Sequence, residues 1–314
     1  MNLISKLQPI IIILSSIIGL ILGNLTPLGN ISTMLIEVFL MLLLYILFLS
    51  VDLNNLKSSF KNIRYTSATV IINFIITPII GYIIGLAFFK DIIEIRMGIL
   101  MLLVTPCTDW YLVFTGLSKG NVELNMSILP LNLILQIILM PVYLIFFLGS
   151  EINLNISHML GSIIFVLAIP FICSIISKFF IKNKIGIQNF LEEQGDNLQL
   201  LFLCLAVIVM FATEGESLVN NPMLLLQMII PLLCFFILIF FIAQIIGRGL
   251  KFNKKDIIAL NFTTLARNSP LALAIAVATF PTQPLISLVL VVGSLIELPT
   301  LSIVAGILLR WRNK

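Results

Sequence analysis

The stretch Thr105-Pro106-Cys107-Thr108-Asp109 sets a helix breaker, a thiol and a carboxylate in the middle of an apolar run. A second stretch, Arg267-Asn268-Ser269-Pro270, does the same with a guanidinium, an amide and a hydroxyl. Proline inside a helix removes an amide donor and clashes with the preceding turn, but it is comfortable as the first residue of a new helical segment. Thr or Ser directly before it is a favoured N-cap. Thr105-Pro106 and Ser269-Pro270 therefore both read as a helix that stops, is capped and restarts. Unpaired amides at a restarting end can hold an anion or a polar oxygen, and carbonyls at an ending half can hold a cation. Cys107 reads either as a small apolar filler or as a soft ligand, because a helix N-terminus favours the thiolate. Asp109 falls in the first turn of its restarted segment, and Arg267 stands just ahead of the other break. The two can neutralise each other, or act as a proton or cation carrier with a switchable counter-charge. Glu297, just before Pro299, reads as a coupling-ion group. Thr108, Asn268 and Ser269 are candidate ligand contacts, the last two also possible caps.

The elements that must position these residues are apolar. Of 314 residues, 60% are hydrophobic and 10% charged, against about 25% charged in soluble domains. Lipid is the expected solvent. A bilayer core needs roughly 20 apolar residues per helix, and ten runs qualify: 8–23, 32–50, 66–89, 97–118, 123–149, 159–179, 197–213, 223–246, 256–280 and 285–309. Connections are too short for a soluble domain. The longest, near 180–196, reads as an amphipathic stretch at the membrane surface. The first run follows Lys6 and has no small-residue cleavage pattern behind it, so it reads as a retained span. The net charge of +4 is scattered over short loops, which does not describe a nucleic-acid surface. Four cysteines lie in apolar runs without paired spacing, so no disulfide framework, zinc site, metal or cofactor is expected. The only histidine, His158, falls in a loop. With no Ser/His arrangement or aspartate pair in adjacent spans, an enzyme is not expected.

Lysine and arginine set the orientation. With a cytoplasmic N-terminus, fifteen fall in inside loops and two, Lys90 and Arg96, outside. Both termini are expected in the cytoplasm, in a multi-pass plasma-membrane protein. Arg267, Glu37, Asp109 and Glu297 lie within spans and Glu214 at a span end; Glu37 reads as structural. Each such charge costs roughly 2.5–3.5 kcal/mol on insertion scales, which marks the others as candidate site residues. Spans 1–5 (8–149) and 6–10 (159–310) form two sets of five, so the second must cross the membrane inverted. Thr105-Pro106 in span 4 matches Ser269-Pro270 in span 9, and Pro141 in span 5 matches Pro299 in span 10. Matching interrupted helices in inverted repeats point to a secondary transporter's binding site. The expected fold is all-α, ten transmembrane helices in two inverted five-helix repeats, with discontinuous helices 4 and 9 crossing near mid-membrane.

VTPCTDWYLVFTGLSKGN and the following LPLNLILQIILMPVYLIFF, with ARNSPLALAIAVATFP and VLVVGSLIELPTLSIVAGILLRWR, resemble the fourth, fifth, ninth and tenth spans of arsenite-efflux permeases. These belong to the bile acid/sodium symporter superfamily. The resemblance implies a core subdomain of spans 3–5 and 8–10 beside a panel of spans 1–2 and 6–7. It implies export of trivalent arsenic against proton entry, with Cys107 of the Pro106-Cys107-Thr108 pattern as the arsenite contact. Asp109 or Glu297 would then carry the proton. The family's Asn-Asn-Phe-Glu pattern in the ninth span is absent: Asn268-Ser269-Pro270-Leu271-Ala272 carries no carboxylate, and Asp109 stands on the opposite helix. The alternative is a sodium-coupled symporter of a small organic anion, held by Arg267 and the half-helix amides. Either way the partners are a small inorganic or anionic substrate, a proton or sodium ion, and the bilayer.

Overall fold

The computed structural model describes residues 3–25, 31–50, 61–108, 110–149, 156–181, 185–219 and 222–313. Asp109 lies outside the described residues, as do the side chains of Glu37, His158 and Glu214. Every described element is helical apart from short turns and two bridged residues: α1 (Leu3–Leu25), α2 (Ile31–Ser50), α3 (Ile63–Ile71) running through a π turn (Ile72–Ile76) into α4 (Thr77–Phe88), α5 (Ile93–Leu103), α6 (Trp110–Leu117), α7 (Val122–Leu148), α8 (Ile156–Ile181), α9 (Ile185–Val219), α10 (Pro222–Gly249), α11 (Lys254–Leu265), α12 (Ser269–Thr279) and α13 (Pro284–Asn313). Among the described residues, five helical stretches are long and apolar enough to cross a membrane: Ile63–Phe88, Val122–Leu148, Glu193–Ala212, Leu226–Gly249 and Pro284–Arg312. Shorter apolar stretches follow in α1, α2, α8 and α12.

Where described, the apolar runs of the sequence fall on helix, except that 97–118 and 256–280 are interrupted after Leu103 and Leu265. The stretch near 180–196 does not form a separate element: from Ile185 it continues as one helix of 35 residues into the apolar segment. Its Leu, Glu and Gln content supports unbroken helix. Pro141 and Pro299 likewise sit inside continuous α7 and α13.

The chain divides into two compact units. One comprises Met1–Asp52, Leu154–Leu225 and Pro270–Val291. In it α9 packs against α1 and α2, and α8 against α2. Gly19 and Gly23, one turn apart on α1, allow the close approach: a Cβ at Gly19 would stand 2.5 Å from the Ile208 carbonyl oxygen and 2.7 Å from Phe211 Cβ. This is the small-xxx-small packing that membrane helices use where burial gives no hydrophobic gain. The Tyr45 hydroxyl donates to Ser177 Oγ at 2.8 Å across α2 and α8.

The other unit comprises Leu53–Asn153, Leu226–Ser269 and Val292–Lys314. Here Gly81 and Gly85 of α4 repeat the device against Leu103 and Arg96 of α5, each at 3.3 Å from a would-be Cβ. The π turn is stitched to α7 by Tyr143, whose hydroxyl donates to the Phe74 carbonyl at 2.6 Å. Asn125 of α7 is a hub: its amide donates to Thr115 Oγ1 at 2.8 Å and to the Ala259 carbonyl at 3.1 Å, tying α6, α7 and α11. Helices α6 and α10 end alike. Lys119 and Lys251 adopt positive φ, 55° and 58°, and the residues after them, Gly120 and Phe252, donate back to Thr115 and Gly247. Asn121 and Asn253 then cap the helices that follow, accepting from the Leu124 and Asp256 amides at 3.1 and 2.9 Å.

Candidate functional site

Residues 105–108 of the first break and 266–269 of the second lie within this second unit and bind each other, while Pro270 begins a segment of the first unit. Pro106 and Arg267 form an isolated antiparallel bridge. The Cys107 amide donates to the Ala266 carbonyl at 3.0 Å, and the Asn268 amide donates to the Thr105 carbonyl at 2.7 Å. Backbone polar groups released where each helix stops are thus paired across the crossing, as buried backbone requires. Thr105, Pro106, Cys107, Thr108, Arg267, Asn268 and Ser269 are brought together, all buried except that Pro270 beyond them is half-buried.

The detailed geometry of the first break differs from the sequence reading. Pro106 is not the first residue of the restarted helix; it lies in the extended bridge, and α6 begins at Trp110. The Thr105 hydroxyl closes the end of α5, donating to the Met101 and Leu102 carbonyls at 3.0 and 2.9 Å. Cys107 takes the capping role instead: its Sγ accepts the Trp110 N–H at 3.3 Å. The reason is the bridge: Val104 turns the chain out of α5 at φ -84°, and the pairing of Pro106 with Arg267 delays the restart. At the second break Ser269 opens α12 and Pro270 follows it. There proline stands in the first turn, where its missing amide costs nothing. Ser269 Oγ is buried and has no hydrogen-bond partner among the described residues. Asn268 Nδ2 reaches Thr108 Oγ1 at 3.4 Å, joining the two breaks by side chains as well.

Arg267 is buried and bonded to backbone. Its guanidinium collects the carbonyls that end both first halves: Nη1 donates to Leu103 at 2.8 Å, Nε to Leu265 at 3.2 Å, and Nη2 to Thr264. Nη2 also donates to Asn73 Oδ1 at 3.3 Å, and the guanidinium carbon lies 5.2 Å from the centre of the Phe235 ring. Each helix C-terminus carries roughly half a negative charge. Two such ends meet at one guanidinium. Glu297, 3% exposed, comes from α13 to the same place, and its Oε1 accepts the Arg267 backbone N–H at 2.7 Å.

Asn73 escaped the sequence reading. The signal was present, a lone amide inside an apolar run with the π turn around it. It also donates to the Thr263 carbonyl at 3.1 Å, and Asn132 of α7 reaches Thr263 Oγ1 at 3.4 Å. One turn further along α7, Gln136 is fully buried with neither end of its amide bonded. A polar track therefore leaves the crossing through Asn73, Thr263 and Asn132. Among the described residues, no group of three or more His, Cys, Asp or Glu could hold a metal ion.

The chain matches the sequence model of the Sodium Bile acid symporter family over residues 37–221, more than half its length. It is 22% identical over 324 residues to the arsenical-resistance protein Acr3 of Corynebacterium glutamicum, covering 96% of this chain and 87% of that protein. It is 23% identical to Acr3 of Alkaliphilus metalliredigens, covering 88% and 82%. A protein of Synechocystis named as an uncharacterised transporter is 25% identical, covering 96% and 87%. Helical in its described elements, with five helical stretches that can cross a bilayer, and matched over more than half its length by the family model, this chain is a membrane transporter that belongs to the sodium bile acid symporter family.

Proposed function

We propose that this transporter exports trivalent arsenic from the cytoplasm across the plasma membrane, coupled to proton entry, with Cys107 as the substrate contact. The observation that carries the reading is the seat of the thiol. Cys107 is fixed through its backbone to the other break, while its sulfur sits on the first amide of α6. The N–H directed at sulfur holds this soft atom in a fixed seat for a thiophilic centre. Arsenous acid is neutral at neutral pH and thiophilic. In the exchange an S–As bond forms, one As–O bond breaks, and the hydroxide leaves as water with the thiol proton. Arsenic stays trivalent, and one thiol releases it as readily as it binds it. Thr108, Asn268 and the Ser269 hydroxyl supply hydrogen bonds for the remaining hydroxyls.

The topology proposed around this site is ten spans in two inverted repeats, with α5/α6 and α11/α12 as the interrupted fourth and ninth. Both termini are cytoplasmic. A core of spans 3–5 and 8–10 works against a panel of spans 1–2 and 6–7. The second compact unit supports the core, because it holds spans 3–5 and 8, the first half of span 9 and most of span 10. Glu297 and Asp109 are the proton carriers in this reading. The names of the Acr3 relatives favour arsenite among possible substrates. The organic-anion alternative needs Arg267 to face a carboxylate, and its guanidinium is committed to backbone carbonyls.

Expression in an arsenite-sensitive host provides the test. The wild-type chain is expected to confer arsenite resistance and Cys107→Ser to lose it at equal membrane abundance. Resistance that survives Cys107→Ser unchanged sinks the thiol role.

A further inference from the structure

We propose that Arg267 is the resident cation of the crossing, occupying the seat that a monovalent metal ion would need, so that this transporter works without sodium at that point. The inference rests on the reading of the crossing as the transport site and adds the identity of its permanent counter-ion. Two half-helix C-termini converge there, and together they ask for about one positive charge. In a broken-helix transporter such carbonyls are what coordinates a coupling cation. Here the Leu103, Thr264 and Leu265 oxygens and Asn73 Oδ1 all receive hydrogen bonds from one guanidinium. The arginine comes from the break itself, so the charge is tethered to the chain and enters and leaves the membrane with nothing. A sodium ion at the same oxygens would have to displace the guanidinium from its bonds and would place two cations in one seat. Phe235 closes the remaining face of the guanidinium with its ring.

Purified protein in detergent is compared in sodium chloride and choline chloride at matched ionic strength, with the thermal midpoint as readout. The wild type is expected to show the same midpoint in both. Arg267→Gln is expected to lose stability and to regain part of it saturably with methylguanidinium, and with sodium over choline, because the oxygens are now open. A wild-type midpoint that rises saturably by several degrees with sodium overturns the proposal. So does an Arg267→Gln protein that neither cation restores. The wild-type comparison decides even where the variant fails to fold. If the arsenite assay fails while wild-type stability ignores sodium, the substrate reading falls and this one stands.

A different set of residues carries a second inference: the structure assigns an anionic-phospholipid site to the cleft between the end of α10 and the end of α13. The cleft holds about 240 Å³ and is lined by Phe240, Phe241, Gln244, Leu308, Arg248 and Trp311 among others. Its apolar walls open outward, with Phe241 and Ile245 more than half exposed. At its mouth Arg248 and Lys254 both lie over the Trp311 ring, at 5.8 and 5.6 Å from its centre. The segments 247–256 and 298–314 carry Lys251, Lys255, Arg310, Arg312 and Lys314 besides, against one carboxylate, Asp256, which accepts from Asn121 and Asn253. Two cations held against one indole above an apolar cleft fit a phosphate with acyl chains beneath it. Gln244 lines the cleft as well, and its buried Oε1 has no hydrogen-bond partner among the described residues.

Trp311 reports on the site directly. In a Trp110→Phe background, in vesicles of equal phosphatidylglycerol and phosphatidylcholine, bromination of one lipid at a time is compared by fluorescence quenching. Brominated phosphatidylglycerol is expected to quench about twofold more than brominated phosphatidylcholine. Arg248→Gln with Lys254→Gln is expected to bring the ratio to one. Equal quenching in the parent, or a preference that persists in the double variant, overturns the assignment. Loss of the preference on adding inorganic phosphate at matched ionic strength also overturns it, in favour of a free-phosphate site.

Discussion

Glu297→Gln separates what Glu297 holds from what it carries. The carboxylate is buried in α13, and its Oε1 accepts the Arg267 N–H at 2.7 Å. Glutamine keeps an oxygen at that position, so the amide at the break stays satisfied. What is lost is the difference between a charged and a neutral acceptor, about 1 kcal/mol, partly offset because a buried charge no longer has to be desolvated. Glu297→Leu removes the oxygen as well and strands the Arg267 N–H, at a further cost of about 1–3 kcal/mol. Unfolding midpoints should therefore fall in the order wild type, Gln, Leu, with the larger step between the last two. In everted vesicles under an imposed pH gradient, the wild type should accumulate arsenite uphill. Glu297→Gln should fold and exchange arsenite passively, and it should lose the response to the gradient. If Glu297→Gln accumulates arsenite with wild-type dependence on the gradient, Glu297 does not carry the proton and its role is to hold the break.

Gly19→Leu and Gly23→Leu should each cost about 1–3 kcal/mol by forcing α1 away from α9, whereas Gly161→Ala, with nothing within 4 Å of its would-be Cβ, should not destabilise; reversible unfolding in detergent compares the three. Tyr143→Phe removes the hydrogen bond to the Phe74 carbonyl in the π turn and should lower stability by about 1 kcal/mol, read by the same measurement. Lys119→Gly and Lys251→Gly should each raise the midpoint, because a side chain at φ 55° or 58° is strained by roughly 1–2 kcal/mol. A lowered midpoint would mean that the lysine side chains stabilise these turns by more than the strain.

How much of this was legible in the sequence depends on what each feature rests on. The helices were legible because an apolar run of membrane length has few alternatives: lipid forces the backbone to satisfy itself. The two breaks were legible because proline beside a polar residue marks them, although Pro299, beside Thr300, carries the same mark and sits in unbroken helix, as does Pro141. The close approaches at Gly19/Gly23 and Gly81/Gly85 were written in plain four-residue spacing and went unread. The capping pattern was not legible. Which group closes a helix end depends on the backbone path beyond it, and at Thr105–Thr108 that path is set by Ala266 and Arg267, far away in sequence.

Arg267 shows the same limit and also a way past it. From the sequence, a guanidinium deep in an apolar run asks for an anion, and Asp109 was the nearest candidate across the crossing. Among the described residues its guanidinium donates to three helix-end carbonyls and an amide oxygen, while Asp109 lies outside them. The local clue was position: Arg267 stands two residues past the end of α11, where cations favour the helix dipole and the last carbonyls lack donors. A charge within one turn of a helix end has the backbone as its first available partner, and a side-chain counter-ion comes second. Applied to the opposite pole, the same rule links Glu297 to the Arg267 amide at the break, so the acid and the base of this crossing meet through the main chain. Their coupling then passes through one peptide unit. If Glu297 carries the proton as proposed, its protonation would weaken the hold on the amide of the residue whose guanidinium pins both helix ends, and the Glu297→Gln comparison above tests that route.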